Sequence, residues 1–158
     1  MTEKATFGAG CFWSADPVFR QVAGIVDTVA GFMGGHVANP SYEQVCEDNT
    51  GHVEVIQVVF DPARISYDAL LDVFWDVSDP TQVDRWGPTP GTYYRSTIFF
   101  HSPEQQRAAE ASKARLAAGG RYRKPIATAI VPASTFWPAE ETHQHRLEKD
   151  GVIVCELD

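Results

Sequence analysis

The sequence predicts an α+β fold, a two-layer α/β sandwich built on a ferredoxin-like β-α-β-β-α-β core. The main observation is that segments with strand periodicity alternate with segments of helical spacing, in the order of a split βαβ unit. The second is the length of 158 residues, which suits one compact domain. We therefore expect a single domain over residues 1–158, in which the core is followed by a further helix, a strand and a partly irregular tail.

The first half of the core is predicted from short apolar segments that end in small residues. Residues 5–9 are expected to form the first strand. A helix should follow, with Ser14 as its N-cap and Pro17 in the first turn, where proline is tolerated. Residues 24–33 are β-branched in their first half and are expected to form the second strand, which the Gly34-Gly35 pair ends.

The second half of the core begins with the strongest strand signal, VEVIQVVF at residues 53–60. This segment is apolar on both faces, as expected of a central strand. A helix capped by Ser66 should follow, because apolar residues recur there at helical spacing. Those residues are Tyr67, Leu70, Leu71, Phe74 and Trp75. The segment STIFF at residues 96–100 is expected to be the fourth core strand.

Beyond the core, Ser102-Pro103-Glu104-Gln105 predicts a capping-box start to a long helix that ends at Gly119-Gly120. Residues 126–131 are expected to form the last strand, and the polar tail from Ala139 to be part helix, part irregular.

Composition and charge exclude several functional classes. The formal net charge is −8, with 21 acidic against 13 basic residues, which argues against binding nucleic acid or anionic membrane. No signal peptide and no membrane-spanning segment are recognisable in the sequence. Three cysteines are too few for a secreted disulfide framework, so we expect a cytoplasmic protein with free thiols. A monomer is the default expectation for its oligomeric state.

Cys11 is the leading candidate for a nucleophile. It follows the first predicted strand, directly before a helix, in the string Gly10-Cys11-Phe12-Trp13. The positive end of a helix dipole favours a thiolate, and the two aromatic residues could line an apolar pocket. The alternative is a buried core cysteine with core aromatic neighbours.

Glu54 is the candidate acid. Along its strand it shares a face with Ile56, Val58 and Phe60, where burial should raise the pKa of its carboxyl group. Such a group could act as a general acid near neutral pH. The alternative is a glutamate at the strand end that reaches solvent.

Two tyrosines could orient a polar substrate oxygen, because phenols are neutral hydrogen-bond donors at pH 7. Tyr42 is expected in a loop after Asn39-Pro40, and Tyr94 just before the fourth core strand. Ordinary packing is the alternative for each of them. Cys46 is expected to be structural, in a short helix.

Taken together, these strings resemble the A-type peptide-methionine (S)-S-oxide reductases. The matching pieces span nearly the whole chain in the family's order: GCFW at 10–13, TGHVE at 50–54, DPTQ at 79–82, GTYYRS at 91–96 and FWPAEETHQ at 136–144. GCFW alone is moderately specific, whereas the ordered set is a strong signal.

The resemblance implies a fold and a chemistry. It implies an α/β sandwich around a ferredoxin-like core, and reduction of free or protein-bound methionine S-sulfoxide. Cys11 would be the nucleophile, and Phe12 and Trp13 would enclose the S-methyl group. Glu54 would protonate the sulfoxide oxygen, with Tyr42 and Tyr94 hydrogen-bonding it. No metal or other cofactor is implied, because thioredoxin or another dithiol supplies the electrons.

The chain departs from the family pattern at three places. Ser14 and Asp16 replace the usual glycine and glutamate after GCFW, and Asp16 is expected to preserve a carboxylate at the helix start. Thr89 replaces an acidic residue thought to help hold the substrate, and whether nearby Asp84 substitutes for it is left open. Cys155 stands alone where many members have one or two recycling cysteines; it is expected to resolve the Cys11 sulfenic acid, the alternative being a buried terminal cysteine.

Three other functions compete with this one. A cysteine hydrolase or acyltransferase would need a base such as His36 or His52 near Cys11. A zinc site could use His143, His145 and a cysteine, although residues two apart on a helix point in different directions. A non-catalytic binder of methionine-containing segments is the third, and it would not consume dithiothreitol in the presence of a sulfoxide peptide.

Overall fold

The computed structural model describes residues 1–144, and its elements follow the predicted order. In chain order they are β1 (Glu3–Gly8), α1 (Phe12–Arg20), β2 (Ile25–Met33), α2 (Tyr42–Cys46), β3 (Val53–Phe60), α3 (Tyr67–Val77), β4 (Arg85–Trp86), β5 (Thr89–Pro90), β6 (Thr97–Phe100), α4 (Pro103–Ala118), β7 (Ala129–Pro132) and β8 (Trp137–Pro138).

The main sheet has the order β7-β6-β1-β3-β2-β8 within the described residues. Its four central strands, β6-β1-β3-β2, pair antiparallel with one another, which is the arrangement of a ferredoxin-like core. The strand β7 adds to β6 in parallel, and β8 adds to β2 antiparallel. The predicted α+β fold is therefore confirmed, with β3 at the centre of the sheet as its two apolar faces indicated.

The helices and the sheet enclose one main core. It is formed by side chains from β1, β3, α1 and α3, with smaller contributions from β2, α4 and β6. A second, smaller cluster lies where Met33, Val53, Val55 and Phe99 pack together. Alternate residues of β3 divide between the two clusters, and Glu54 follows the alternation of the main-core residues Ile56, Val58 and Phe60.

The start of α1 differs from the prediction. Cys11, not Ser14, is the N-cap, because its carbonyl accepts the backbone N–H groups of Ser14 and Ala15, both at 3.2 Å. Pro17 consequently lies inside the helix rather than in its first turn. Asp16 is not at the helix start either: its buried carboxylate accepts a hydrogen bond from the Thr28 hydroxyl on β2.

The later helices begin close to the predicted positions. Ser66 caps α3 and Ser102 caps α4. The Gln105 side chain bonds the N–H of His101 at 2.9 Å, which is one residue before the partner of a capping box. The last predicted strand begins at Ala129 instead of residue 126. Among the described residues, no helix has both the length and the apolar character needed to cross a membrane.

Candidate active site

Cys11 lies at the junction between β1 and α1, where the chain turns sharply. Gly10 before it has a φ of 85°, a left-handed conformation that favours glycine. The Trp86 indole packs directly against Gly10, so that an added Cβ would clash with its Cε3 atom. Cys11 itself is a free, partly exposed thiol. The turn at Gly10 and its contact with Trp86 therefore set the position of this thiol.

Burial disfavours the charged form of Cys11. It raises the pKa of the thiol, with the negative charge of Glu54 as a second cause, to about 12. Hydrogen bonds from the backbone of Trp13 and Ser14 at the helix start act in the opposite direction but do not compensate. The helix start therefore favours the thiolate, as expected, but desolvation of the thiol has the larger effect on its pKa.

Glu54 is fully buried on β3, next to the start of α1. Its Oε1 atom accepts the Phe12 N–H at 3.3 Å, whereas Oε2 is buried without a hydrogen-bond partner. Burial raises the pKa of this carboxyl to about 8, and the Phe12 bond only partly opposes the shift. The alternative of a solvent-reaching glutamate is excluded, and Glu54 is largely protonated at pH 7.

Tyr42 and Tyr94 approach Glu54 from two other segments. Tyr42 is the first residue of α2, not part of a loop, because Ser41 and Gln44 form a capping box there. Tyr94 ends a short 3-10 turn before β6. Burial first, and the charge of Glu54 second, raise the pKa of both phenols. Both hydroxyls are thus neutral donors beside an acidic group.

Aromatic rings form a wall next to this polar group. The Trp13 and Tyr42 rings stack with centroids 5.8 Å apart, and Phe12 lies 6.0 Å from Tyr42. Phe12 is buried and packs on Phe32 at 5.7 Å, whereas Trp13 is half-buried. Phe12 is therefore part of the core as well as the wall, and Trp13 is the ring that a ligand could reach.

Two residues near the tyrosines were not expected at the site. The Cys46 thiol is within hydrogen-bonding reach of the Tyr42 and Tyr93 hydroxyls. Tyr93 in turn packs on Tyr94 with ring centroids 4.4 Å apart. The helical spacing of Tyr42 and Cys46 could have placed them on one face of α2, but nothing in the sequence indicated which face meets Tyr93.

Glu140 and His143 also reach the site, and only the resemblance at residues 136–144 pointed to their segment. His143 Nδ1 accepts the Trp13 indole N–H at 3.2 Å, and its ring stacks on Tyr42 with centroids 4.3 Å apart. Glu140 Oε1 accepts the Tyr42 N–H at 3.1 Å. Gln144 fixes this segment to β2, bonding the N–H and the carbonyl of Ala30, both at 2.8 Å.

The histidines that a hydrolase or a zinc site would need are engaged elsewhere, exposed, or outside the described residues. His52 cannot serve as a base, because Gly35 N–H donates to its Nδ1 at 3.0 Å and its Nε2 bonds the Val37 carbonyl at 2.7 Å. His36 lies on the exposed surface. For the zinc proposal, His143 Nδ1 is already engaged by Trp13, and His145 lies outside the described residues. Within residues 1–144 no three potential ligands are grouped as a metal site would require.

The segment around Thr89 forms a hairpin that was not predicted. Its two-residue strands β4 and β5 pair Trp86 with the exposed Thr89. Asp84 precedes this pair, and its negative charge acts on Arg95, together with that of Asp48. Cys155, the predicted resolving residue, lies outside the described residues.

Comparisons with known proteins identify similar chains over nearly the full length. The family model described as Peptide methionine sulfoxide reductase matches residues 3–158. The Peptide methionine sulfoxide reductase MsrA of Geobacter sulfurreducens is 60% identical over 97% of this chain and 94% of its own. Reduced Mxr1 of Saccharomyces cerevisiae has a TM-score of 0.89 at 33% identity, over 95% of this chain and 86% of that one. Mxr1 in complex with Trx2 has a TM-score of 0.65 at 27% identity, over 90% and 84%.

Proposed function

Since the chain belongs to the peptide methionine sulfoxide reductase family, we propose that it reduces methionine S-sulfoxide, free or within peptides, to methionine with Cys11 as the nucleophile. The observation that carries the residue assignment is the unpaired Oε2 atom of Glu54. A buried polar atom without a partner is costly, and here it lies among the site's phenols and the Cys11 thiol. A sulfoxide oxygen would supply the missing acceptor for a protonated Glu54.

The chemical step follows from these groups. The Cys11 sulfur attacks the sulfoxide sulfur while Glu54 donates its proton to the oxygen, which becomes the hydroxyl of a sulfenic acid on Cys11. As the hydroxyl passes to the Cys11 sulfur, its bond to the substrate sulfur and the transient bond between the two sulfurs both break, and methionine leaves as the thioether. Tyr42 and Tyr94 donate hydrogen bonds to the oxygen, and Phe12 and Trp13 enclose the S-methyl group.

The protonation of Glu54 also helps the nucleophile. The negative charge of Glu54 is one of the two causes that raise the Cys11 pKa. When Glu54 is neutral, this repulsion is absent, and the thiolate costs less to form. A single protonation event therefore prepares both the acid and the nucleophile.

Recycling requires a second thiol and an external dithiol. We assign Cys155 as the thiol that attacks the Cys11 sulfenic acid, which forms a disulfide and releases water. Thioredoxin would then reduce this disulfide, and no metal or other cofactor is needed. The support is the structure of yeast Mxr1 in complex with Trx2, because Mxr1 shares the fold of this chain.

The test is a reductant-dependent assay with the separate S and R epimers of a methionine sulfoxide peptide. Wild-type protein should reduce the S epimer with dithiothreitol or thioredoxin. Cys11→Ser should abolish this activity, since a hydroxyl is a far weaker nucleophile than a thiolate. Cys46→Ser serves as the matched thiol control and should keep sulfenic acid formation.

Two outcomes would contradict the assignment. Activity of Cys11→Ser above about a tenth of wild type would show that another residue attacks the sulfoxide, because loss of a covalent nucleophile costs far more. Binding of the peptide without any consumption of reductant would favour the non-catalytic binder.

A further inference from the structure

We propose that His143 is a positioning residue that orients the Trp13 indole, and thereby sets the fit of the apolar wall to its substrate. This inference rests on the proposed function for its substrate, but the contact between His143 and Trp13 stands on its own. His143 lies outside the four groups to which the chemical step is assigned, and it touches no reacting atom in that scheme.

The imidazole of His143 is in contact with all three rings of the wall. Its centroid lies 4.3 Å from that of Tyr42, 5.6 Å from Trp13 and 6.1 Å from Phe12. The planes of His143 and Trp13 are 14° apart, so the two rings are nearly parallel. With only 8% of its surface exposed, His143 forms the protected side of the wall.

The hydrogen bond with Trp13 fixes both orientation and tautomer. An indole N–H can only donate, so Nδ1 of His143 must be its unprotonated acceptor at 3.2 Å. Any ring proton is therefore on Nε2, which faces Glu140 Oε2 at 4.0 Å. Stacking alone would let the Trp13 indole rotate within its plane, and the hydrogen bond to His143 restricts that rotation.

Glu140 links this contact to the other side of the wall. One carboxylate oxygen accepts the Tyr42 N–H at 3.1 Å, and the other faces His143. The segment that carries both residues is attached to β2 through Gln144, which is buried. This segment, attached to the sheet, thus contacts Trp13 through His143 and Tyr42 through Glu140, and so sets the distance between the two rings.

The test compares two amide substitutions. The His143→Asn variant places its amide oxygen close to the position of Nδ1, whereas His143→Gln places its amide near Nε2 and leaves the Trp13 N–H without that acceptor. We expect His143→Gln to raise the KM for a sulfoxide peptide by about two- to tenfold, the effect of one lost hydrogen bond. The single-turnover rate at saturating substrate should be unchanged, and His143→Asn should restore most of the affinity.

A second readout needs no substrate. The Trp13 indole N–H signal in ¹⁵N-labelled protein, identified by its loss in Trp13→Phe, should move upfield and exchange faster in His143→Gln but not in His143→Asn. If His143→Gln does not fold, His143→Ala removes the same acceptor and replaces it in both measurements.

An unchanged indole signal and KM in His143→Gln would overturn the proposal. So would a lower single-turnover rate with an unchanged KM, because His143 would then act on the chemical step. Absence of sulfoxide reduction by the wild-type protein would instead contradict the proposed function. The indole signal would still decide whether His143 orients Trp13.

Discussion

At the scale of single residues, the main feature is the opposition between the charges of Cys11 and Glu54. The anion of Glu54 contributes to raising the pKa of Cys11, and burial disfavours the charged form of both groups. A site with both groups ionised is therefore unfavourable. In the proposed reaction the reactive combination is a Cys11 thiolate beside a neutral Glu54, and the substrate oxygen favours it by accepting a hydrogen bond from the acid form of Glu54.

This coupling predicts a pH dependence for Glu54. The wild-type single-turnover rate should fall as pH rises through about 8, because the acid form of Glu54 is lost there. Glu54→Gln should slow sulfenic acid formation by about a hundredfold or more, the usual contribution of a general acid, and should lose this fall. Rapid quench followed by sulfenic acid trapping measures the rate at each pH.

The matched control is Glu43→Gln, an exposed carboxylate on α2 next to Tyr42. Its rate and pH profile should equal those of the wild type. Equal rates for Glu54→Gln and wild type would show that Glu54 is not the acid.

The sequence predicted Cys11, Glu54 and Tyr94 as site residues from strings that carry the resemblance, and Tyr42 from its phenol as a neutral hydrogen-bond donor. It could not identify the environment that sets their charge. The raised pKa of Cys11 depends on burial by distant segments, and the contact of His143 with Trp13 joins residues 130 positions apart. Such contacts are properties of the tertiary structure and leave no local periodicity.

At the scale of elements, the loop between β1 and α1 is constrained by the hairpin of β4 and β5. Gly10 has a positive φ and lies against Trp86 of that hairpin. The two-residue strands of the hairpin are too short to show periodicity, so this contact could not be predicted. The five-residue helix α2 was predicted as a short helix around Cys46, but its start at Tyr42 was placed in a loop for the same reason.

Gly10→Ala should therefore disturb both stability and activity. The new methyl group would meet Trp86 and also adopt a backbone conformation that costs about 1 kcal/mol or more outside glycine. We expect a lower free energy of unfolding in urea and a reduced single-turnover rate, as Cys11 and Trp86 shift.

Gly120→Ala separates these two causes. Gly120 also has a positive φ of 71°, but an added Cβ meets nothing within 4 Å. This variant should lose only the backbone contribution to stability and keep full activity. If both variants lose the same stability, contact with Trp86 is not significant.

At the scale of the whole molecule, the strand order was predictable because six elements alternate in a recognisable sequence. The central β3 follows from its two apolar faces, and its position puts Glu54 against the start of α1. The edges were less predictable: β8 has two residues and, among residues 1–144, pairs with β2 alone. Short edge strands depend on their partner more than on their own sequence.

The recycling route also concerns the whole chain, since Cys155 is far from Cys11 in sequence. After one turnover without reductant, the three thiols of the wild-type protein should fall to one, because both cysteines enter a disulfide. Cys155→Ser should still complete that turnover but lose a single thiol, and thioredoxin should no longer support repeated cycles. Mass spectrometry and thiol titration measure both quantities.

Cys46→Ser is the control for this count. It should lose both of its remaining thiols, as the Cys11–Cys155 disulfide forms without it. Retention of one thiol in that variant would assign the resolving role to Cys46 instead.

The unpaired Oε2 atom of Glu54 has one more consequence, which concerns the number of protons taken up when the substrate binds. Because a sulfoxide accepts a hydrogen bond only from the acid form, substrate binding above pH 8 must draw a proton from solution. Calorimetry with Cys11→Ser, in buffers of different ionisation enthalpy, should detect this uptake approaching one proton at pH 9 and vanishing near pH 6. The same titration with Glu54→Gln should show no uptake. In the protein that keeps Glu54, substrate binding would thus shift the acid–base equilibrium of this carboxyl towards its acid form.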